Sequence, residues 1–133
     1  MTTGALSGFL TVRPERSSKR EDFVAIATLV NRGSESVILN LAPLTSASLA
    51  LEIVDEAGSP VRLPPPPVPG GPPQRASLAP GEGETLELPS FVPQWFPAGA
   101  YRARLRYVYE PSEHARNEWS GSLLSDWVEF RVL

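Results

Sequence analysis

From Ala100 to Tyr109 the chain alternates between two kinds of side chain. Tyr101, Ala103, Leu105, Tyr107 and Tyr109 fall on one side, and Arg102, Arg104 and Arg106 on the other. A period of two belongs to a strand with one buried and one wet face. Pro97 and Gly99 supply the turn before it, because proline presets φ and glycine accepts positive φ. This stretch commits the chain to sheet.

The remaining segments agree with it. Residues 6–13 alternate, with Leu10 and Val12 set against Phe9 and Thr11. From Asp22 to Asn31 nearly every residue is apolar, which predicts a central strand covered on both sides. Shorter strands are expected at Val37–Leu41, Leu49–Val54, Arg75–Leu78 and Glu84–Leu88, with a stub at Val61–Leu63. The last strand sets Val128, Phe130 and Val132 against Trp127, Glu129 and Arg131. Turn signals recur about every ten residues, at Asn31-Arg32-Gly33-Ser34, Asp55-Glu56-Ala57-Gly58 and Ala79-Pro80-Gly81-Glu82 among others, and no segment sustains a helical period. The expectation is an all-β fold: an immunoglobulin-like antiparallel β-sandwich of seven to nine strands, one domain spanning 1–133.

One low-complexity segment interrupts it, a proline-rich loop at 64–73 broken by Gly70-Gly71. Proline cannot donate to a ladder, so this segment leaves the sheet. Pro64 to Pro67 should be extended polyproline II.

Three patches resemble bacterial immunoglobulin-like domains. They are Pro80-Gly81-Glu82 followed by Leu86-Glu87-Leu88, the Pro97-x-Gly99-x-Tyr101 entry to the long strand, and the closing Trp119-x-Gly121-x-Leu123-x-Ser125-x-x-Val128-x-Phe130. With Val30-Asn31-Arg32-Gly33 they cover about 100 residues and report fold, not activity. Within that group the spacing is similar to intracellular proteinase inhibitors of the BsuPI type, whose resemblance implies loops inserted into a protease cleft. Gly58 to Leu63 departs from the aromatic-rich strand of those inhibitors, and no reactive residue is carried over.

Composition removes whole classes of chemistry. The chain has 133 residues, no cysteine and a net charge of −3. Disulfides, thiolate metal sites and cysteine nucleophiles are excluded. A mildly acidic chain lacks the overall footprint of a nucleic-acid binder, and no apolar run suits a signal peptide or a membrane span. A cytoplasmic protein is expected. His114, the single histidine, sits in a polar loop and has no second histidine for a metal site. Asp55 and Glu56 lack a calcium-loop pattern, and Gly81-x-Gly83 leads into no phosphate-binding helix. No catalytic residue, metal or cofactor is assigned, and an enzyme is not expected.

Three features point to binding. Arg102, Arg104 and Arg106 form a face for an acidic ligand unless Glu52, Glu87 or Glu129 on adjacent strands answers them. Pro65, Pro66 and Pro67, flanked by Arg62, present a helix of low entropy to a proline-reading partner, or simply an extended loop. Phe91, Trp95, Phe96, Trp119 and Trp127 form either a partner or sugar-stacking surface or aromatic seals at the ends of the core. Taken together, these features predict a protein-binding module that acts through loops at one end of the sandwich, with Pro65, Pro66, Pro67, Phe91, Trp95, Phe96 and Trp127 as contacts. A proteinase inhibitor and a carbohydrate-binding module are the alternatives. Nucleic acid and membrane are not expected as partners, and exposed edge strands leave an oligomer open.

Overall fold

The computed structural model describes residues 2–3, 6–41, 49–62, 74–109, 119 and 121–133. Strands dominate, in the order β1 (Thr2–Thr3), β2 (Leu6–Arg13), β3 (Arg16–Ser17), β4 (Val24–Asn31), β5 (Val37–Leu41), β6 (Leu49–Val54), β7 (Pro60–Val61), β8 (Gln74–Leu78), β9 (Gly83–Pro89), β10 (Gly99–Tyr109), β11 (Gly121–Leu124) and β12 (Val128–Val132). Arg20–Asp22 form a single turn of 3-10 helix, and no helix among the described residues is long and apolar enough to cross a membrane.

The strands form an all-β, mainly antiparallel sandwich. One sheet runs β1-β2-β4-β9, and the other runs β3-β12-β10-β6-β7, with β11 also paired to β10. A separate β5-β8 pair adds Leu39, Leu41 and Leu78 to the same core. The long strand lies at the centre of its sheet, and its apolar side is buried from Tyr101 through Tyr107. Opposite it stand Leu6, Leu10 and Val12 of β2 and Ala25, Ala27 and Leu29 of β4. At Gly8 the two layers pack closely: a Cβ built there would lie 2.6 Å from Leu123 Cδ2. At the other end Phe23, Phe91, Tyr101 and Phe130 pack ring against ring, with centroids 5.4–5.5 Å apart for each partner of Phe130.

Local chemistry fixes the corners. Asn31 is fully buried, donates through Nδ2 to the carbonyls of Glu35 and Leu78, and accepts from the Gly33 amide at Oδ1. Its main chain also bonds to Gly81 and Glu82, so one residue ties the two turns together. In the second turn Pro80 and Gly81 (φ +86°) occupy the central positions of a type II geometry. The Glu82 carboxylate closes it by accepting from the Ala79 amide at 2.8 Å. The Tyr101 hydroxyl donates to the Pro97 carbonyl at 2.6 Å, the corner expected where a sandwich strand leaves its entry turn.

The structure corrects three details. β4 is central, between β2 and β9, but only its Ala25-Ala27-Leu29-Asn31 side is buried. Val24, Ile26, Thr28 and Val30 stay half-exposed on the outer face, so their β-branched character reflects fit to a pleated surface and not a second covering layer. Gly121–Leu124 form a strand that the polar sequence around them concealed. Glu87 belongs to β9, in the opposite sheet from the three arginines, and is not their cross-strand partner.

Candidate protein-binding face

The outer face of the β10 sheet gathers four of the residues singled out from sequence. Arg102 is exposed, and Arg104 and Arg106 are half-exposed. β10 is flanked on one side by β6 and on the other by β12 followed, farther along, by β11. This places Glu52 opposite Arg104 and Glu129 opposite Arg102. Arg104 Nε lies 3.5 Å from Glu52 Oε1, yet it makes no hydrogen bond although it is buried from water. The pair is therefore loose. Arg102 has no ion pair among the described residues.

A β-bulge delivers the fourth residue. Ala103 pairs with Val128 and Arg106 with Leu124, so the two residues Arg104 and Leu105 face the three residues Ser125, Asp126 and Trp127. An extra residue in one strand reverses which residues point inward and re-aims the side chain that follows. Leu123 and Ser125 are buried before the bulge, and Phe130 and Val132 after it. The buried Ser125 holds the distortion: its amide donates to the Leu105 carbonyl at 3.0 Å, and its Oγ accepts from the Leu105 amide at 2.8 Å. Oγ also donates to the Asp126 carbonyl at 3.0 Å. No ladder group of Leu105 is left unpaired, and Trp127 is turned out onto the arginine row.

Trp127 is 37% exposed there. The guanidinium carbon of Arg104 lies 4.2 Å from its ring centroid and that of Arg102 5.8 Å, both within cation–π range. Sequence reasoning identifies Trp127 and the arginines, but as separate features. Their union depends on the bulge, and the signal for it is the Ser125-Asp126 insertion between two apolar alternations of opposite phase.

The loop end is different. Phe91 is 5% exposed and Phe96 fully buried, so both are core residues. Only Trp95, 62% exposed with its ring 4.9 Å from that of Phe96, remains available there. Arg20 pins the loop from below, donating through Nε to the Phe96 carbonyl at 2.7 Å. Gln94 donates to Glu21 Oε2 at 3.0 Å, which holds the Glu21 carboxyl below its ordinary range. Trp119 is also core, its ring tilted against that of Tyr107 with centroids 4.7 Å apart. Pro65, Pro66, Pro67 and His114 lie outside the described residues.

Between the two regions lies an open depression of about 260 Å³ lined by Asp55, Glu56, Ala100, Tyr101, Arg102 and Glu129. Its carboxylates are largely engaged with the backbone: Asp55 Oδ1 accepts from Ala57 and Ser59, and Glu56 from Ala100. Burial raises the Tyr101 phenol above its ordinary pKa; Arg20 opposes the shift, and Asp55 and Glu56 add to it. Among the described residues no three carboxylates or imidazoles gather in a way that would hold a metal ion. The longest sheet edge among them is β9, where Glu84 occupies an inward register position and Pro89 ends the strand, two devices that discourage edge pairing.

No family model matches the chain, and no curated protein sequence matches it.

Proposed function

We propose that this chain is a non-enzymatic protein-binding module that engages its partner through the outer face of the β10 sheet, with Trp127 as anchor. One observation carries the reading: Trp127, turned outward by the Ser125 bulge, is stacked by Arg104 and flanked by Arg102. Tryptophan and arginine dominate the few residues that carry the energy of protein interfaces. Both are held by neighbours on the sheet here, so binding costs less side-chain entropy than it would on a free loop. Trp95 at the loop end is exposed but rests on a single ring contact, and it is a secondary surface.

The test is capture from lysate with four versions of the protein. Intact protein and Trp95→Ser retain the partner, whereas Trp127→Ser and Arg102→Gln lose it. Retention by Trp127→Ser together with loss by Trp95→Ser would return the site to the loop end.

A further inference from the structure

The two outer faces of the sandwich differ in chemistry. Charge dominates that of the β10 sheet, where Glu52, Arg102, Arg104, Arg106, Glu129 and Arg131 stand at outward positions. The outer face of the β2-β4-β9 sheet is largely apolar. Val24, Ile26 and Val30 of β4 run down its middle, flanked by Phe9 of β2 and Pro89 of β9. The other outward positions of Phe9–Arg13, β4 and β9 hold threonine or glycine, except for Arg13 and Glu87. Fit to a pleat accounts for the β-branched residues of β4. It does not account for Phe9, which is 44% exposed at a position where a solvated antiparallel face carries polar residues.

The two charges select the occupant. Register sets Arg13 in line with Val24 and Pro89, and Glu87 in line with Ile26 and Thr11. They therefore lie on opposite sides of β4 and one outward row apart, about 6.8 Å along the strands. Among the described residues neither makes an ion pair. A two-fold axis running along β4 between two facing copies lays β2 of each over β9 of the other. Arg13 of one copy then falls one row from Glu87 of the second copy, and the same contact recurs at the opposite edge. At the spacing of about 10 Å between packed sheets, the two side chains together span that offset. Ile26 meets its own counterpart at the centre, and Phe9 lies over Thr85 of the second copy. We infer that this face is a homodimer interface, in which two copies pack their β2-β4-β9 sheets together about that axis. The charges on the face sum to zero and match themselves under the rotation, which favours a second copy over a partner of one sign. The face measures about 14 Å across three strands and about 27 Å along them, or about 500 Å² per copy with side-chain relief. The pair then buries about 1,000 Å², the threshold for specific association, so the dimer should dissociate in the micromolar range. The β10 sheet lies on the far side of each sandwich, and the dimer leaves both Trp127 faces open.

Sedimentation equilibrium of the intact chain from about 5 to about 500 μM tests the inference and should show a monomer–dimer equilibrium. Phe9→Ser, at an exposed position, should weaken the dimer at least about tenfold. Arg13→Glu and Glu87→Arg should each weaken it about tenfold, because one substitution acts at both edges of a two-fold interface. The double variant Arg13→Glu, Glu87→Arg exchanges the signs and should recover the parental affinity to within about threefold. A variant that had simply lost its fold would not recover. Arg102→Glu, on the opposite sheet, should leave the dimer unchanged. A monomer at every concentration would overturn the inference. So would a dimer indifferent to Phe9→Ser and to both reversals, or single reversals whose loss the double variant does not repair. A monomeric chain that holds a different protein from lysate through Phe9 would also overturn it and assign the face to that protein.

Discussion

Arg104 sits over the indole of Trp127 at 4.2 Å, while its Nε faces Glu52 at 3.5 Å without forming a hydrogen bond. The guanidinium is thus oriented by the ring more than by the carboxylate. Cation–π contacts at partly exposed sites are worth about 0.5–1 kcal/mol, and exposed ion pairs often less. A double-mutant cycle with Arg104→Ala and Trp127→Ala, read by urea unfolding, should give a coupling of about 0.5–1 kcal/mol that survives moderate salt. The Arg104–Glu52 cycle should give a smaller coupling that fades with salt. Reversal of that order would mean that the ion pair orients the arginine.

The position of Trp127 depends on Ser125. Replacing Ser125 by Ala removes the acceptor of the Leu105 amide, which is buried in the ladder. A buried donor left without a partner costs about 1–3 kcal/mol. Ser125→Ala should lower stability by that order and should also loosen the Trp127 stack, red-shifting or broadening its emission in a Trp95→Phe background. A loss of stability with unchanged Trp127 emission would separate the bulge from the aiming of the indole.

These two sites show what the sequence makes legible and where it stops. The long strand, its two faces, the first strand and Leu49–Val54 are readable because their apolar alternation runs in phase with burial, as Leu49, Leu51 and Ile53 do. Whether an apolar residue lies under a second layer is not local information. Ile26 and Val30 look like core residues in sequence and stand half-exposed, whereas Phe91 and Phe96, in an irregular proline-flanked loop, fill the core. The joining of Trp127 to the arginines is hidden for another reason. A bulge shifts register by one residue, and its only local trace is a small polar residue where an apolar one would continue the pattern.

Tyr101 links the entry turn to the core through its hydroxyl, and its pKa is raised chiefly by burial. The phenol is therefore more easily ionised in the unfolded chain, whose value lies near 10. Its contribution to stability should be fully present below about pH 10 and lost as pH rises through the higher folded value. Tyr101→Phe should cost about 1 kcal/mol at neutral pH through the lost bond to Pro97. It should also flatten the alkaline limb of the stability profile relative to the parent. A parallel alkaline limb in both proteins would assign the loss to other groups.

Asn31 offers a sharper contrast between size and charge. Its Nδ2 group serves two carbonyls, at 2.8 and 2.9 Å, in a fully buried setting. Asn31→Asp keeps the shape but replaces two donated hydrogen bonds with carboxylate oxygen facing carbonyl oxygen. That change should cost more than Asn31→Ala, for which about 2–4 kcal/mol is expected from unpaired carbonyls and lost packing. The penalty of the Asp variant should shrink as pH falls and the carboxyl is protonated, whereas that of the Ala variant should not. Equal, pH-independent losses would show that water enters the corner and solvates the charge.

Gly8 tests how tightly the two sheets are keyed together. Its φ is not in the left-handed region, so a side chain meets no backbone strain, only neighbours. An added Cβ would lie 2.6 Å from Leu123 Cδ2 and 3.5 Å from Leu105 Cδ2. Overpacking of this kind typically costs about 1–3 kcal/mol. Gly8→Ala should therefore destabilise by that order, and trimming the facing leucine in the double variant Gly8→Ala, Leu123→Val should recover part of the loss. Because Leu123 lies two residues before Ser125, the single variant should also shift Trp127 emission if the two layers transmit the displacement to the bulge. Thermal unfolding and fluorescence of the same samples decide it: recovery in the double variant locates the strain at the sheet interface, and further loss would place it in the β2 backbone.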